Sequence, residues 1–253
     1  MHVLKQLKKY RYNRNSQNGE DGVIEEICRR LNIRSGWFVE FGAWDGKHLS
    51  NTYHLLTGCG WKGVYIEGDA GRYGRLLETQ AAFQGRVHAL QAMVGWEGEN
   101  RLDHLLAGTP TPRNFDLLSI DIDSYDYEVW NGLADYKPKI VVIESSALVP
   151  PGVFQRHNPP QAQGASFSSL VDLGRRKGYQ LVCHTGNCFF VEDSLVPALQ
   201  LEPDDLAKPD RLFDRGKHFR EKVRVRLAGI LPERVMHRLY DFSNWRKRFF
   251  RKR

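Results

Sequence analysis

Cysteine is scarce in this chain, with four residues among 253 and no CxxC pair. Cys28, Cys59, Cys183 and Cys188 therefore read as reduced structural thiols, not as a disulfide frame or a metal knuckle. No apolar run approaches the eighteen or more residues that a membrane span needs, and Met1 to Arg14 lacks the apolar core of a secretory signal. The expectation is a cytoplasmic protein, with peripheral attachment at the inner face of the membrane as its variant. Internal repeats and low-complexity tracts are also missing. With 41% apolar and 26% charged residues the chain is neither disordered nor fibrous. Its length suits one full α/β domain with an appendage better than two domains.

Acidic residues are absent from the front of the chain, where Lys5, Lys8, Lys9, Arg11 and Arg14 cluster. They are sparse at the back, where residues 211 to 253 hold fifteen Lys or Arg against four acids. The net charge of +7 thus hides a net negative segment from 15 to 210. The expected organisation is a basic arm over 1–15, a folded domain over 16–200 and a basic amphipathic tail over 201–253.

What is present is a succession of short apolar strands separated by helical patterns. Val23, Ile24, Ile27, Cys28 and Leu31 keep helical spacing after Ser16 to Gly22, which predicts a capped helix. A strand over 37–41 follows, then a crossover helix from Ser50 to Leu56 stopped by Gly58 and Gly60, then a strand over 63–67. Further helices are predicted over 72–82 and near 102–106, and strands over 87–92 and 115–121. The β-branched run Ile140 to Glu144 reads as a central parallel strand covered on both faces. A Pro- and Gly-rich connection over 149–164 is too long for a simple turn and reads as an active-site lid. After a helix over 167–177, strands over 179–183 and 187–192 are joined by His184, Thr185 and Gly186 alone, which forces antiparallel pairing.

The first two strands carry the chemistry. Each ends in an acid, Glu40 and Glu67, and the first runs into a turn with Gly42 and Gly46 where a ligand can approach the backbone. Glu67 is placed to accept two ribose hydroxyls, with Asp69 as its fallback, so the pattern points to an adenosine-containing cofactor. Five parallel strands completed by a hairpin that inserts one reversed strand give the expected fold: an α/β, Rossmann-like, doubly wound sheet of the class I methyltransferase type. The reversed strand favours S-adenosylmethionine over a nicotinamide cofactor.

These segments resemble the FkbM-like S-adenosylmethionine-dependent methyltransferases. Ser16-Gln17-Asn18-Gly19-Glu20-Asp21 is similar to that family's segment before the first strand. Asp45-Gly46, Ser50-Asn51-Thr52 and Gly60-Trp61-Lys62-Gly63 are similar to its first βαβ unit, and Leu118 to Asp123 with Tyr127 to Leu133 to its fourth-strand signature. The resemblance spans roughly residues 16 to 192. It implies methyl transfer to oxygen, most often on a sugar, with a small-molecule, glycan or glycolipid acceptor. Trp44 departs from the glycine that many methyltransferases place in the middle of the first turn.

The expected cofactor-binding set is Glu40, Gly42, Ala43, Asp45, Gly46, Asn51, Glu67, Gly68, Asp69 and Asp121. A tight turn alone would also explain the glycines, and Asn51 could equally cap a helix. Asp121 is the first candidate for the base that takes the acceptor proton, with Asp123 on the same face and His184 as an alternative. Asp121, Asp123 and Glu144 could converge on Mg²⁺, serve a sugar as hydrogen-bond acceptors, or, for Asp123, cap the next helix. A solvent-facing turn is the preferred reading of His184, and His48 and His157 read as polar loop residues. Gln17, Asn18, Glu20 and Asp21 either brace the pocket or cap the helix after them, capping being preferred.

In the tail, apolar and aromatic residues from Val223 to Phe250 alternate with arginines. An anionic membrane surface or a protein partner ranks first, packing on the core second, and a polyanion such as RNA third. The alternative to an enzyme is a non-catalytic Rossmann-like module recruited by this tail, with Trp44 as its support.

Overall fold

Strand-forming residues at alternating positions bury both faces of one sheet. In the computed structural model, which describes residues 6–122, 125–146, 149–156 and 164–214, seven strands lie in the order β3-β2-β1-β4-β5-β7-β6. They are β1 (Trp37–Phe41), β2 (Lys62–Glu67), β3 (Val87–Gln91), β4 (Leu117–Ile120), β5 (Ile140–Glu144), β6 (Tyr179–His184) and β7 (Asn187–Glu192). The first five are mutually parallel, and β7 runs antiparallel between β5 and β6. This is the doubly wound α/β sheet with a reversed hairpin strand that characterises the class I methyltransferase fold. Asp123, Ser124, His157 and the tail from 215 onward lie outside the described residues.

The two faces follow from the period of two along each strand. Val39, Phe41, Val64, Ile66, Leu118, Ile120, Val141 and Ile143 bury against α4 (Leu102–Ala107), α5 (Asp126–Gly132) and α6 (Phe167–Arg176). Phe38, Tyr65, Leu117, Ile140 and Val142 bury against α1 (Glu20–Arg30), α2 (Tyr53–Gly58) and α3 (Ala70–Ala82). Each such side chain taken from water contributes about 1.5–3 kcal/mol. The order reverses direction of growth between β1 and β4, and that switch point opens a crevice at the carboxyl ends of the strands.

Several expected boundaries move, for local reasons. α1 begins at Glu20, three residues before the first periodic apolar position, and Gly19 at φ +95° precedes it without a side-chain cap. α2 begins at Tyr53 instead of Ser50, because Ser50, Asn51 and Thr52 are turned toward Glu40. β6 continues through His184, leaving Thr185 and Gly186 as the turn. The roots of both basic arms pack on the domain. Leu7 and Leu212 are buried, and Gln6 Nε2 donates to Asp205 Oδ2 at 2.7 Å beside the short helix α7 (Pro203–Ala207). No helix among the described residues is long and apolar enough to cross a membrane.

Gly63 of β2 lies under the Phe38 ring of β1, where an added Cβ would strike three ring carbons. Gly63→Ala is expected to cost about 1–3 kcal/mol through overpacking, read as a lower urea midpoint at unchanged slope. An unchanged midpoint would contradict the packing.

Candidate functional site

The crevice at the switch point is a cleft of about 660 Å³, inside the size range of small-molecule and cofactor sites. Parallel strands deliver its residues from one direction. After β1 come Gly42, Ala43, Trp44, His48, Leu49 and Ser50; after β2, Gly68, Asp69 and Arg72; after β3, Ala92, Met93 and Val94; after β4, Asp121, Ile122 and Tyr125. Glu40, Ile66 and Glu67 line it from the strands themselves, and Gln17 reaches it from the segment before α1.

Glu67 is the most constrained of these groups. Trp44 N–H donates to Oε2 at 2.7 Å and Asp69 N–H donates to Oε1 at 2.8 Å. Each carboxylate oxygen has two lone-pair directions, so one on each remains for a ligand donor. Trp44 does this from the left-handed region, φ +54°, a costly conformation for a bulky residue. Its ring lies under the Arg72 guanidinium at 4.2 Å and meets His48 edge-on at 5.0 Å. Trp44 thus leaves the turn intact, because the interaction it supplies comes from its backbone. At Gly42, φ +71°, an added Cβ would collide with the Asp121 carbonyl oxygen, so only glycine lets β1 and β4 end this close together.

Glu40 lies deeper. Ser50 Oγ donates to it at 2.7 Å, Asn51 N–H at 3.0 Å, and Thr52 Oγ1 makes a third bond. Burial pushes its carboxyl up from the ordinary range, against the pull of these donors. Apolar Ile66, Ala92, Met93, Val94 and Ile122, with Tyr125 backed by Trp96 at 4.4 Å between ring centres, form the rest of the wall. That combination suits a flat, weakly polar ring.

Of the expected cofactor set, the structure brings Glu40, Gly42, Ala43, Glu67, Gly68, Asp69 and Asp121 to the cleft. It does not bring Asp45, Gly46 or Asn51. Asp45 Oδ1 accepts from the Lys47 and His48 N–H groups, Gly46 faces Leu76 and Tyr65, and Asn51 Nδ2 donates to Ser119 Oγ at 3.1 Å. These three shape the cleft from behind. His184 also departs from expectation: it is buried at the end of β6, with Asp214 N–H donating to Nδ1 at 2.9 Å. That bond fixes the proton on Nε2, which donates to Ser145 Oγ at 2.7 Å. Burial lowers its pKa to about 3, and it lines no part of the cleft, so a role as base there is withdrawn. Glu144 is likewise outside the cleft lining. Among the described residues no three His, Cys, Asp or Glu side chains group as metal ligands, and Asp123 lies outside them.

Sequence reasoning missed Arg72, Leu49, Met93, Val94 and Tyr125, which carry no motif, and passed over Ile122 within the fourth-strand signature. Gln17, left open by the sequence between bracing the pocket and capping the next helix, with capping preferred, lines the cleft, and its placement comes from Asp21. One oxygen of that carboxylate accepts from the Arg14, Asn15 and Ser16 N–H groups at 2.7, 2.8 and 2.9 Å and from Ser16 Oγ at 2.7 Å. The other faces His54 Nδ1 of α2 at 2.5 Å. Asn13 Nδ2 donates to the Gln17 carbonyl at 2.8 Å. The segment beside the cleft is therefore held at nearly every residue.

The fold and the cleft define an α/β protein with a preformed switch-point site. No protein-family model matches the chain, and no curated protein matches it. Solved structures similar in fold include M. capricolum TrmK, in complex with the natural cofactor product S-adenosyl-homocysteine, at 9% identity and TM-score 0.40 over 65% of this chain and 65% of that one. A SAM dependent methyltransferase from Aquifex aeolicus matches at 14% identity and TM-score 0.41 over 66% and 86%. The [4+2]-cyclase SpnF matches at 13% and 0.44 over 68% and 63%. The chain thus spans slightly under two thirds of the first and third of these.

Burial opposes ionisation of Asp21, but the hydrogen bond and charge of His54 and the bonds from Ser16 prevail and hold its carboxyl at about 2. A carboxyl lower in the folded chain than its unfolded value of about 3.9 stabilises fully above that value. The contribution disappears as pH falls toward 2. Asp21→Asn is expected to lower stability at pH 7 and flatten acid unfolding between about pH 4 and 2, followed by circular dichroism. Superimposable acid limbs would contradict this.

Proposed function

We propose that the chain is an S-adenosylmethionine-dependent methyltransferase acting on an acceptor hydroxyl. The observation that carries the reading is the Glu67 carboxylate, fixed by two backbone amides with one free lone pair on each oxygen at the edge of a cofactor-sized cleft. The residues fit an adenosine-bearing group: Glu67 accepts two vicinal ribose hydroxyls, and the wall from Ile66 to Val94 takes the base. Glu67, Asp69 and Asp121 make the cleft rich in carboxylates, which favours a sulfonium cation. When bound, that cofactor supplies an electrophilic methyl group.

The chain's own contribution is to bind, orient and deprotonate. Gly42 allows close approach at the end of β1, and the Asp121 carboxylate at the mouth of β4 takes the acceptor proton. Gln17, in the lining, supplies a donor and an acceptor. The acceptor is a carbohydrate or glycolipid hydroxyl, a reading supported by the sequence resemblance to the FkbM-like family. The catalytic unit takes in residues 16–200 together with the packed roots of both arms.

S-adenosylhomocysteine should bind the wild-type chain with micromolar affinity by calorimetry. Glu67→Gln, which turns an amide NH₂ toward donors, should weaken it by at least about tenfold. Asp121→Asn should retain binding and lose S-adenosylhomocysteine release across a panel of sugars and glycolipids. Equal affinity for wild type and Glu67→Gln would remove the ribose assignment, and full turnover by Asp121→Asn would remove the base.

A further inference from the structure

Away from the cleft, the outer face of α6 forms one wall of a groove of about 390 Å³, at the small end of the range for ligand sites. Ser168, Val171, Asp172 and Arg175 share that face because they recur every three to four residues, which spreads them over about 10 Å of helix. The segment 207–210, from the end of α7 onward, makes the opposite wall with Lys208 and Asp210. Gly152 and Phe154 of the β5–α6 connection close the end beside the first turn of α6.

Two features set the chemistry of this groove. The Phe154 side chain is 70% exposed, yet the backbone on both sides of it is fixed. Gly152 N–H donates to Ser168 Oγ at 2.8 Å, Gln155 N–H to Ser166 Oγ at 3.0 Å, and Ser166 Oγ to the Val153 carbonyl at 2.7 Å. Ser166 N–H adds a bond to the Gln155 carbonyl at 2.8 Å. Ser168 accepts in this frame and keeps its hydroxyl proton for a ligand. The second feature is that both walls carry both signs of charge, Asp172 and Arg175 on α6 and Lys208 and Asp210 opposite. Among the described residues no hydrogen bond or ion pair joins the two walls, and Asp172 pairs instead with Arg176 of its own helix at 3.1 Å.

We propose that this groove binds a neutral oligosaccharide, with one sugar ring stacked on Phe154. An anion would meet Asp172 and Asp210, and a cation would meet Arg175 and Lys208, each at close quarters in a groove of this size. A neutral ligand dense in hydroxyls escapes both conflicts. Each hydroxyl donates to a carboxylate or accepts from a guanidinium or ammonium group, and such charge-assisted bonds are the strong ones. The apolar face of a sugar ring covers aromatic area that otherwise stays in water. A peptide fits less well, because its apolar anchor needs a large side chain at the centre of the contact, and Phe154 stands at one end. That end opens at the carboxyl edge of the sheet, the edge that also bears the cleft. The groove would hold the remote part of a glycan acceptor, and only that consequence rests on the methyltransferase reading.

The test is an array of immobilised neutral and sulfated oligosaccharides probed with the full chain at physiological ionic strength, after which the best neutral binder is titrated by calorimetry. Neutral oligosaccharides should bind, and Phe154→Ala and Arg175→Ala should each weaken the best of them by at least about fivefold. Neither residue lines the cleft, so S-adenosylhomocysteine affinity should match wild type in both variants. Glu67→Gln should bind the glycan normally, which separates the groove from the cofactor site. Binding confined to sulfated oligosaccharides would overturn the proposal, because the basic tail accounts for that by charge alone. Equal affinity of wild type and Phe154→Ala for the neutral binder, or an array without any neutral binder, would overturn it as well.

Discussion

Two backbone amides, those of Trp44 and Asp69, converge on the Glu67 carboxylate, and the cleft depends on that convergence. The bonds tie the turn after β1 to the end of β2, so the loop that lines the cleft cannot move independently of that acid. Gly42 extends the constraint to β4 by admitting the Asp121 carbonyl oxygen where a side chain would block it. The strained left-handed backbone of Trp44 persists because these contacts over-determine it. The site is thereby formed before any ligand arrives, which reduces the entropy that binding must overcome.

A second, deeper set of bonds supports the first. Glu40 gathers Ser50, Asn51 and Thr52, which delays the start of α2 and sets the floor of the cleft. His54, on the helix that follows, meets Asp21, whose other oxygen fixes residues 14 to 16. The chain segment before the first strand is thus fastened to the segment after it, and Gln17 is presented at the opening as a result. Buried acids here do structural work through hydrogen bonds to the backbone, and the ligand-facing groups inherit their precision from them.

Much of this was legible in the sequence because its cause is local. The β-branched run Ile140 to Glu144 and the aromatic run Trp37 to Phe41 form strands with the expected bounds, and the short reversal expected over His184 to Gly186, which the structure narrows to Thr185-Gly186, is a hairpin. Glu67 and Asp121 are at strand ends, where spacing alone places them. What was not legible depends on packing. His184 reads as a turn residue until β6 is seen to extend through it and Phe213 to stack on its ring. Asn51 could line a pocket or cap the next helix, and its bond to Ser119 shows that it does neither. Leu49, Met93 and Phe154 are indistinguishable in sequence from core residues, because exposure is a property of the fold.

The most direct test of the account is a crystal structure of the protein soaked with S-adenosylhomocysteine. The account predicts both ribose hydroxyls within hydrogen-bond distance of the two Glu67 oxygens and the adenine ring against Ile66 and Ala92 to Val94. A ligand bound elsewhere, or with its ribose away from Glu67, would contradict it.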